Sequence, residues 1–233
     1  MYTEADAKKG ANEVVSFLNH FLQNFVGEGK TQLKIFSDGC VGQHKNLTIL
    51  RNYHVHIQSG RFNKIVHRYP VTSHSYLPCD QKFTVIEKIK RTQQTVETPQ
   101  EWLSLVKNRT KFHVIHVTQD MIFDYQQHYA PFFRPVAMNS REKLLVSKVK
   151  VAEFAKNHKQ EVIVSRTMSG ADKVPFRLAK SDGYISFPSE PLYNGPISLA
   201  PPKVRDVRSL FKYLSPDSVA YYEGIFGQGD ESV

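Results

Sequence analysis

Lys34-Ile35-Phe36-Ser37-Asp38-Gly39-Cys40-Val41-Gly42-Gln43-His44-Lys45-Asn46 is an apolar strand that ends in a carboxylate and then enters a glycine-rich polar turn. Such a strand fixes the direction of the Asp38 carboxylate, while Gly39 and Gly42 permit backbone conformations and close approaches that other residues resist. Two readings of Asp38 follow from this spacing. It is either a turn residue whose side chain bonds the backbone just beyond it, or a ligand for a metal ion or a reacting phosphate.

A second polar cluster, Ser73-His74-Ser75-Tyr76-Leu77-Pro78-Cys79-Asp80, follows a second strand-like run, Phe62 to Val71. Between the two strands, Asn46 to Ile57 has helical spacing and is closed by Ser59-Gly60. Strand, helix, strand predicts a parallel pair joined by a crossover, and ligands of such sheets sit outside the carboxyl ends of the strands. Asp38 and the loop from His74 to Asp80 are therefore expected to share one site. Asp80 has an alternative reading as the N-cap of a helix carrying Phe83, Ile86 and Ile89. Glu87, about 10 Å further along that helix, competes with it as a partner of Asp38.

Outward from this centre, Thr3 to Phe25 reads as an amphipathic helix, and Thr98-Pro99 opens another that contains Trp102. Phe112 to Val117 alternates as a strand, and Gln119 to Tyr129 is helical. Beyond Pro131 the runs Leu144–Val151, Gln160–Arg166 and Pro175–Leu178 read as short strands. A proline-punctuated loop from Pro188 to Pro202 and a last helix from Ser215-Pro216 follow. The expected division is a core over 1–130 and a basic, β-rich C-terminal subdomain over 131–233.

The chain of 233 residues carries a formal charge of +9. The excess is concentrated between Lys143 and Lys180, with nine basic residues against three acidic ones. Such a segment, Lys148 and Lys150 included, suits a polyanion, because neutralising phosphates releases counterions; it is also compatible with a solvated face. No run approaches the ~20 apolar residues of a membrane span, and no signal-peptide layout opens the chain, so an intracellular protein without a membrane partner is expected. Two cysteines exclude a disulfide framework. Cys40, His44, His74 and Cys79 would make a zinc set only if the fold brought them together.

These residues resemble a transposon-derived family of unknown function with a ribonuclease-H-like, DDE-transposase-like core. Its pattern Ser-Asp-Asn-Cys-Gly-Gly-Gln-Asn-Lys-Asn reads here Ser37-Asp38-Gly39-Cys40-Val41-Gly42-Gln43-His44-Lys45-Asn46, and its later Gly-His, Leu-Pro, Asp, Phe, Ile-Glu series reads Ser73-His74 through Ile86-Glu87. The resemblance implies an α/β fold, an incomplete ribonuclease-H-like mixed sheet flanked by helices that lacks its first strands. It also implies nucleic-acid processing, on DNA rather than RNA and in the nucleus, with magnesium or manganese held by Asp38 and Asp80. His74 would be a ligand or proton carrier, and Gln43, His44, Lys45 and Asn46 would face the nucleic-acid backbone. Gly39, Val41 and His44 depart from the pattern, which leaves a non-catalytic nucleic-acid-binding module as the alternative.

Overall fold

β1 (Gln32–Phe36) and β2 (Lys64–Arg68) run parallel, in register from Gln32 opposite Lys64 to Phe36 opposite Arg68. The connection between them contains α2 (Leu47–Gln58), so the crossover expected from the sequence is present. The computed structural model describes residues 1–70 and 77–227. Among these it contains a six-stranded mixed sheet and seven α-helices, a mixed α/β architecture.

Four further strands, β3 (Phe133–Met138), β4 (Val151–Ala155), β5 (Glu161–Ser165) and β6 (Val174–Ala179), complete the sheet in the order β1-β2-β4-β5-β6-β3. All pairings other than β1 with β2 are antiparallel. The chain divides into two compact units, one of residues 9–77 with 122–192, the other of 1–8, 78–121 and 193–233. The sheet lies in the first, so the expected boundary at 130/131 runs through it. Strands beyond residue 130 pair with β2 because hydrogen-bond partners in a mixed sheet need not be neighbours in sequence.

One face of this sheet is apolar and covered. Ile65, Ala152, Phe154, Val162, Val164, Phe176 and Leu178 are buried there, with Leu33 and Ile35 packed against them. The cover is α1 (Ala11–Asn24), α2 and α5 (Tyr125–Tyr129), which pack on one another. Strand alternation sends the other residues to the opposite face, where Glu153 bridges Lys64 at 2.7 Å and Lys173 at 3.0 Å.

A buried polar network locks the three helices. Asn19 and Asn52 exchange amide hydrogen bonds at 3.0 and 2.9 Å, and Tyr129 donates to Asn52 at 3.0 Å. Asn19 also donates to the Tyr125 hydroxyl, and His56 Nε2 donates to its Oδ1. Burial lowers the His56 pKa to about 4, so the ring is neutral and has a single N–H.

α1 begins at Ala11 rather than near Thr3, because Gly10 is extended and its N–H is taken by the Glu13 carboxylate at 2.9 Å. β3 escapes a pattern search because it contains Pro135. An edge strand tolerates proline, and β3 is an edge. The expected strand at Phe112–Val117 is absent; Val117 N–H bonds Met1 instead of a ladder.

In the second unit, α3 (Pro78–Lys90), α4 (Pro99–Arg109), α6 (Pro201–Ser209) and α7 (Pro216–Gly227) are the α-helices among the described residues. Thr98 caps α4 by accepting from Glu101 N–H at 3.2 Å, as its sequence predicts. Ser215 and Tyr222 bond Glu97, which ties α7 to the start of α4. Asp80 lies in the first turn of α3, inside the helix rather than at its cap.

Candidate functional site

β1 extends past Phe36 by one bond, Ser37 N–H to Arg68 carbonyl at 3.4 Å, and then releases the chain at Asp38. The Asp38 Oδ1 accepts from Cys40 N–H at 3.2 Å and meets His44 Nδ1 at 2.9 Å. The turn reading is thus realised, and the same oxygen also contacts the His44 imidazole. The Asp38 side chain is 67% exposed, and both of these contacts fall on Oδ1 rather than Oδ2.

The loop after Asp38 is closed by its own backbone. The Cys40 carbonyl accepts from Gln43, His44 and Lys45. Asn46 donates to the carbonyls of Val41 and Gln43 and caps α2 by accepting from Ile49 N–H at 3.2 Å. The Asn46 amide is therefore committed to the loop. Gln43 and His44 are half-buried.

Lys45 is only 5% exposed. Its ammonium donates to the Ser147 carbonyl at 2.6 Å and lies 5.2 Å from the centre of the Tyr69 ring. Burial, and then Lys150, lower its pKa. The expectation that Lys45 faces a ligand directly gives way to a tie: it fastens the Asp38 loop to the segment that carries Lys148 and Lys150. Tyr69 adds to this tie, its hydroxyl donating to the His44 carbonyl at 3.1 Å.

Sheet pairing completes the assembly. Tyr69 N–H bonds the Lys150 carbonyl at 2.9 Å, and Lys150 N–H bonds the Ser165 carbonyl at 2.8 Å. The carboxyl ends of β1 and β2 thereby lie beside the start of β4 and the end of β5. Lys148 is exposed and Lys150 half-buried at this end. Other charges here are engaged: Arg68 donates to the Met168 carbonyl, Arg166 pairs with Glu142, and Asp172 accepts from Ser165 and Thr167. Those hydroxyls, Ser165 first, hold the Asp172 carboxyl well below the usual range.

Beneath Asp38 runs a hydrogen-bonded chain whose inner members, His67 and Tyr53, are buried and were not among the expected site residues. Ser37 Oγ is 2.8 Å from His67 Nε2, His67 Nδ1 is 3.0 Å from the Tyr53 hydroxyl, and Ser37 Oγ donates to the Asp38 carbonyl at 3.0 Å. Burial lowers the His67 pKa to about 3 and raises that of Tyr53. One arrangement gives every group a partner: Tyr53 O–H to Nδ1, Nε2–H to Ser37, Ser37 O–H to Asp38. This relay sets the backbone at Asp38 from the core. The available signal was the alternation of β2, which turns His67 inward toward α2.

His74 lies outside the described residues. Asp80 belongs to the other unit, as do Glu87 and Cys79. Among the described residues no three His, Cys, Asp or Glu side chains converge as metal ligands, and Cys40 and Cys79 are free and exposed.

Fold and site define a mixed α/β protein that presents one open carboxylate at a sheet end bordered by lysines. The chain matches the model of a domain of unknown function, DUF7869, over residues 2–168, and it belongs to that family. The match includes the Asp38 loop and every strand through β5. Comparison with curated proteins and with solved structures returns no match. No helix among the described residues is long and apolar enough to cross a membrane.

Proposed function

We propose that this chain is a nucleic-acid-binding domain of transposase-derived, ribonuclease-H-like ancestry, whose contact surface is the sheet end around Asp38. The observation that carries this reading is the juxtaposition of Lys148 and Lys150 with the Asp38 loop, made by the Lys45 to Ser147 bond and the β2–β4 pairing. Two lysines at the mouth of a parallel strand pair supply point charges for successive phosphates, while the fixed loop supplies shape. On this reading the polymer is DNA and the place of action nuclear.

Magnesium or manganese is the second reading, favoured by the exposed Asp38 carboxylate, whose two contacts both fall on Oδ1. Hard cations take oxygen ligands and are often held by one or two carboxylates together with substrate phosphates. The described donors supply one such carboxylate, less than a paired-ion site requires, and no catalytic step is derived from it.

Anisotropy titration of a labelled duplex, with and without magnesium, tests both. Lys148→Ala/Lys150→Ala is expected to weaken binding by about 10-fold or more at ~0.1 M salt. Asp38→Ala in metal-free buffer is expected to leave affinity unchanged or raise it, since a repelling charge is removed. Magnesium-dependent affinity that disappears in Asp38→Ala would establish the metal reading. Equal affinity in wild type and the double-lysine variant would reject the proposed surface.

A further inference from the structure

At the opposite end of the same sheet, α2 stops at Gln58 and β4 turns into β5. The register places Ala155 beside Lys64, the first residue of β2, so this end is a full strand length from Asp38. Between α2, the β4–β5 turn and Asp182 lies a cleft of about 420 Å³. Its lining includes His54, Gln58, Lys156, His158, Lys159 and Asp182, all within the sheet-bearing unit.

Three features distinguish this cleft from a surface dent. His54 is 6% exposed, packs edge-on against Phe133, and makes no hydrogen bond among the described residues although it lines the cavity. Burial lowers its pKa to about 4, so the ring reaches the cleft neutral, with one N–H to give and one lone pair to fill. Neither His54 nitrogen is among the buried unpaired atoms, so the ring can exchange hydrogen bonds with what fills the cleft.

Gln160, in the lining, has φ of 64°, the left-handed region that side chains other than glycine enter at a cost. It is held there because its carbonyl accepts from both Leu178 and Ala179 of β6, at 2.7 and 3.1 Å. Its side chain donates to the Asp182 carboxylate at 2.6 Å. Gln58 donates to the Asp182 and Gly183 carbonyls, which fixes the other wall. The single acidic side chain of the lining, Asp182, is held by Gln160 and its charge also acts on His54, while Lys156 and Lys159 are exposed and make no ion pair among the described residues.

We propose that this cleft binds a phosphoryl anion, with Lys156 and Lys159 contacting its charged oxygens and His54 giving it a hydrogen bond from within. The shared chemistry is phosphate, carried either by a small free ligand or by a nucleic-acid backbone. The proposal does not rest on the Asp38 surface, which lies at the other sheet end and uses other lysines.

Isothermal titration calorimetry with inorganic phosphate, and separately with a short DNA duplex, tests it on wild type, Lys156→Ala/Lys159→Ala and His54→Phe. Saturable phosphate binding that weakens by about 10-fold in the double-lysine variant is expected for a free ligand, as two charge-assisted contacts are lost. Absence of phosphate binding together with a similar loss of duplex affinity in that variant assigns the phosphate to the backbone. His54→Phe keeps the ring contact with Phe133 and removes the polar atoms, so it should weaken the same ligand. If it does not fold, the exposed lysine pair still decides the test. No phosphate binding and unchanged duplex affinity in the double-lysine variant would overturn the proposal.

Discussion

Asn52→Leu is expected to destabilise the sheet-bearing unit by roughly 2–4 kcal/mol, read as a lower urea midpoint at unchanged slope. Leucine has the same branched heavy-atom skeleton and is the larger side chain, so no cavity is left and the loss is not one of buried apolar contact. Asn52 accepts from Asn19 and Tyr129 and donates to Asn19, all inside the layer of α1, α2 and α5. Leucine leaves the Tyr129 hydroxyl and one side of the Asn19 amide buried without partners, and a stranded polar group costs more than the bond was worth. A change below about 0.5 kcal/mol, the range of surface substitutions, would show that the network does not lock the helices.

His67→Phe has an effect that depends on pH, and its sign follows from the buried neutral ring. At pH 7 the variant loses the Tyr53 and Ser37 partners and is expected to be less stable by about 2–3 kcal/mol. The His67 pKa is about 3 in the folded chain, against about 6.5 for a free histidine. Below pH 6.5 the unfolded state binds a proton that the folded state refuses, so wild type loses about 1.4 kcal/mol per pH unit from this group. Phenylalanine does not titrate. The gap between variant and wild type should therefore shrink on acidification and close near pH 4.5 to 5. A gap that stays constant from pH 7 to 4.5 would mean that His67 is not held neutral, and with it the relay to Asp38 would fall.

How much of this was legible in the sequence depended on whether the deciding forces were local. The parallel β1–β2 pair was legible because a strand period, a helix period and glycine punctuation followed one another within residues 32 to 68. The Thr98-Pro99 cap was legible for the same reason. β3 was not, since Pro135 reads as a break until its position at the sheet edge is known. α6 was not either, because Pro201-Pro202, which open it, belong to a proline series that reads as loop.

At the site, Asp38 was legible from its place between a strand and a glycine turn, and the basic run around Lys148 and Lys150 from composition. The part taken by Lys45 was hidden: its partner Ser147 is 102 residues away and is delivered by sheet pairing. His67 was hidden because one histidine in an apolar strand reads as an ordinary core residue. Its importance appears only when Tyr53 and Ser37 are seen at its two nitrogens.

On the proposed function, phosphates of a nucleic acid sit on Lys148 and Lys150 at the Asp38 end of the sheet. The most direct test is the salt dependence of duplex affinity, plotted as log K against log salt concentration for wild type and Lys148→Ala/Lys150→Ala. Each phosphate contact contributes about −0.9 to that slope, so the double variant should be shallower by about 1.8. A wild-type slope near zero, or a slope that the double substitution leaves unchanged, would contradict the claim.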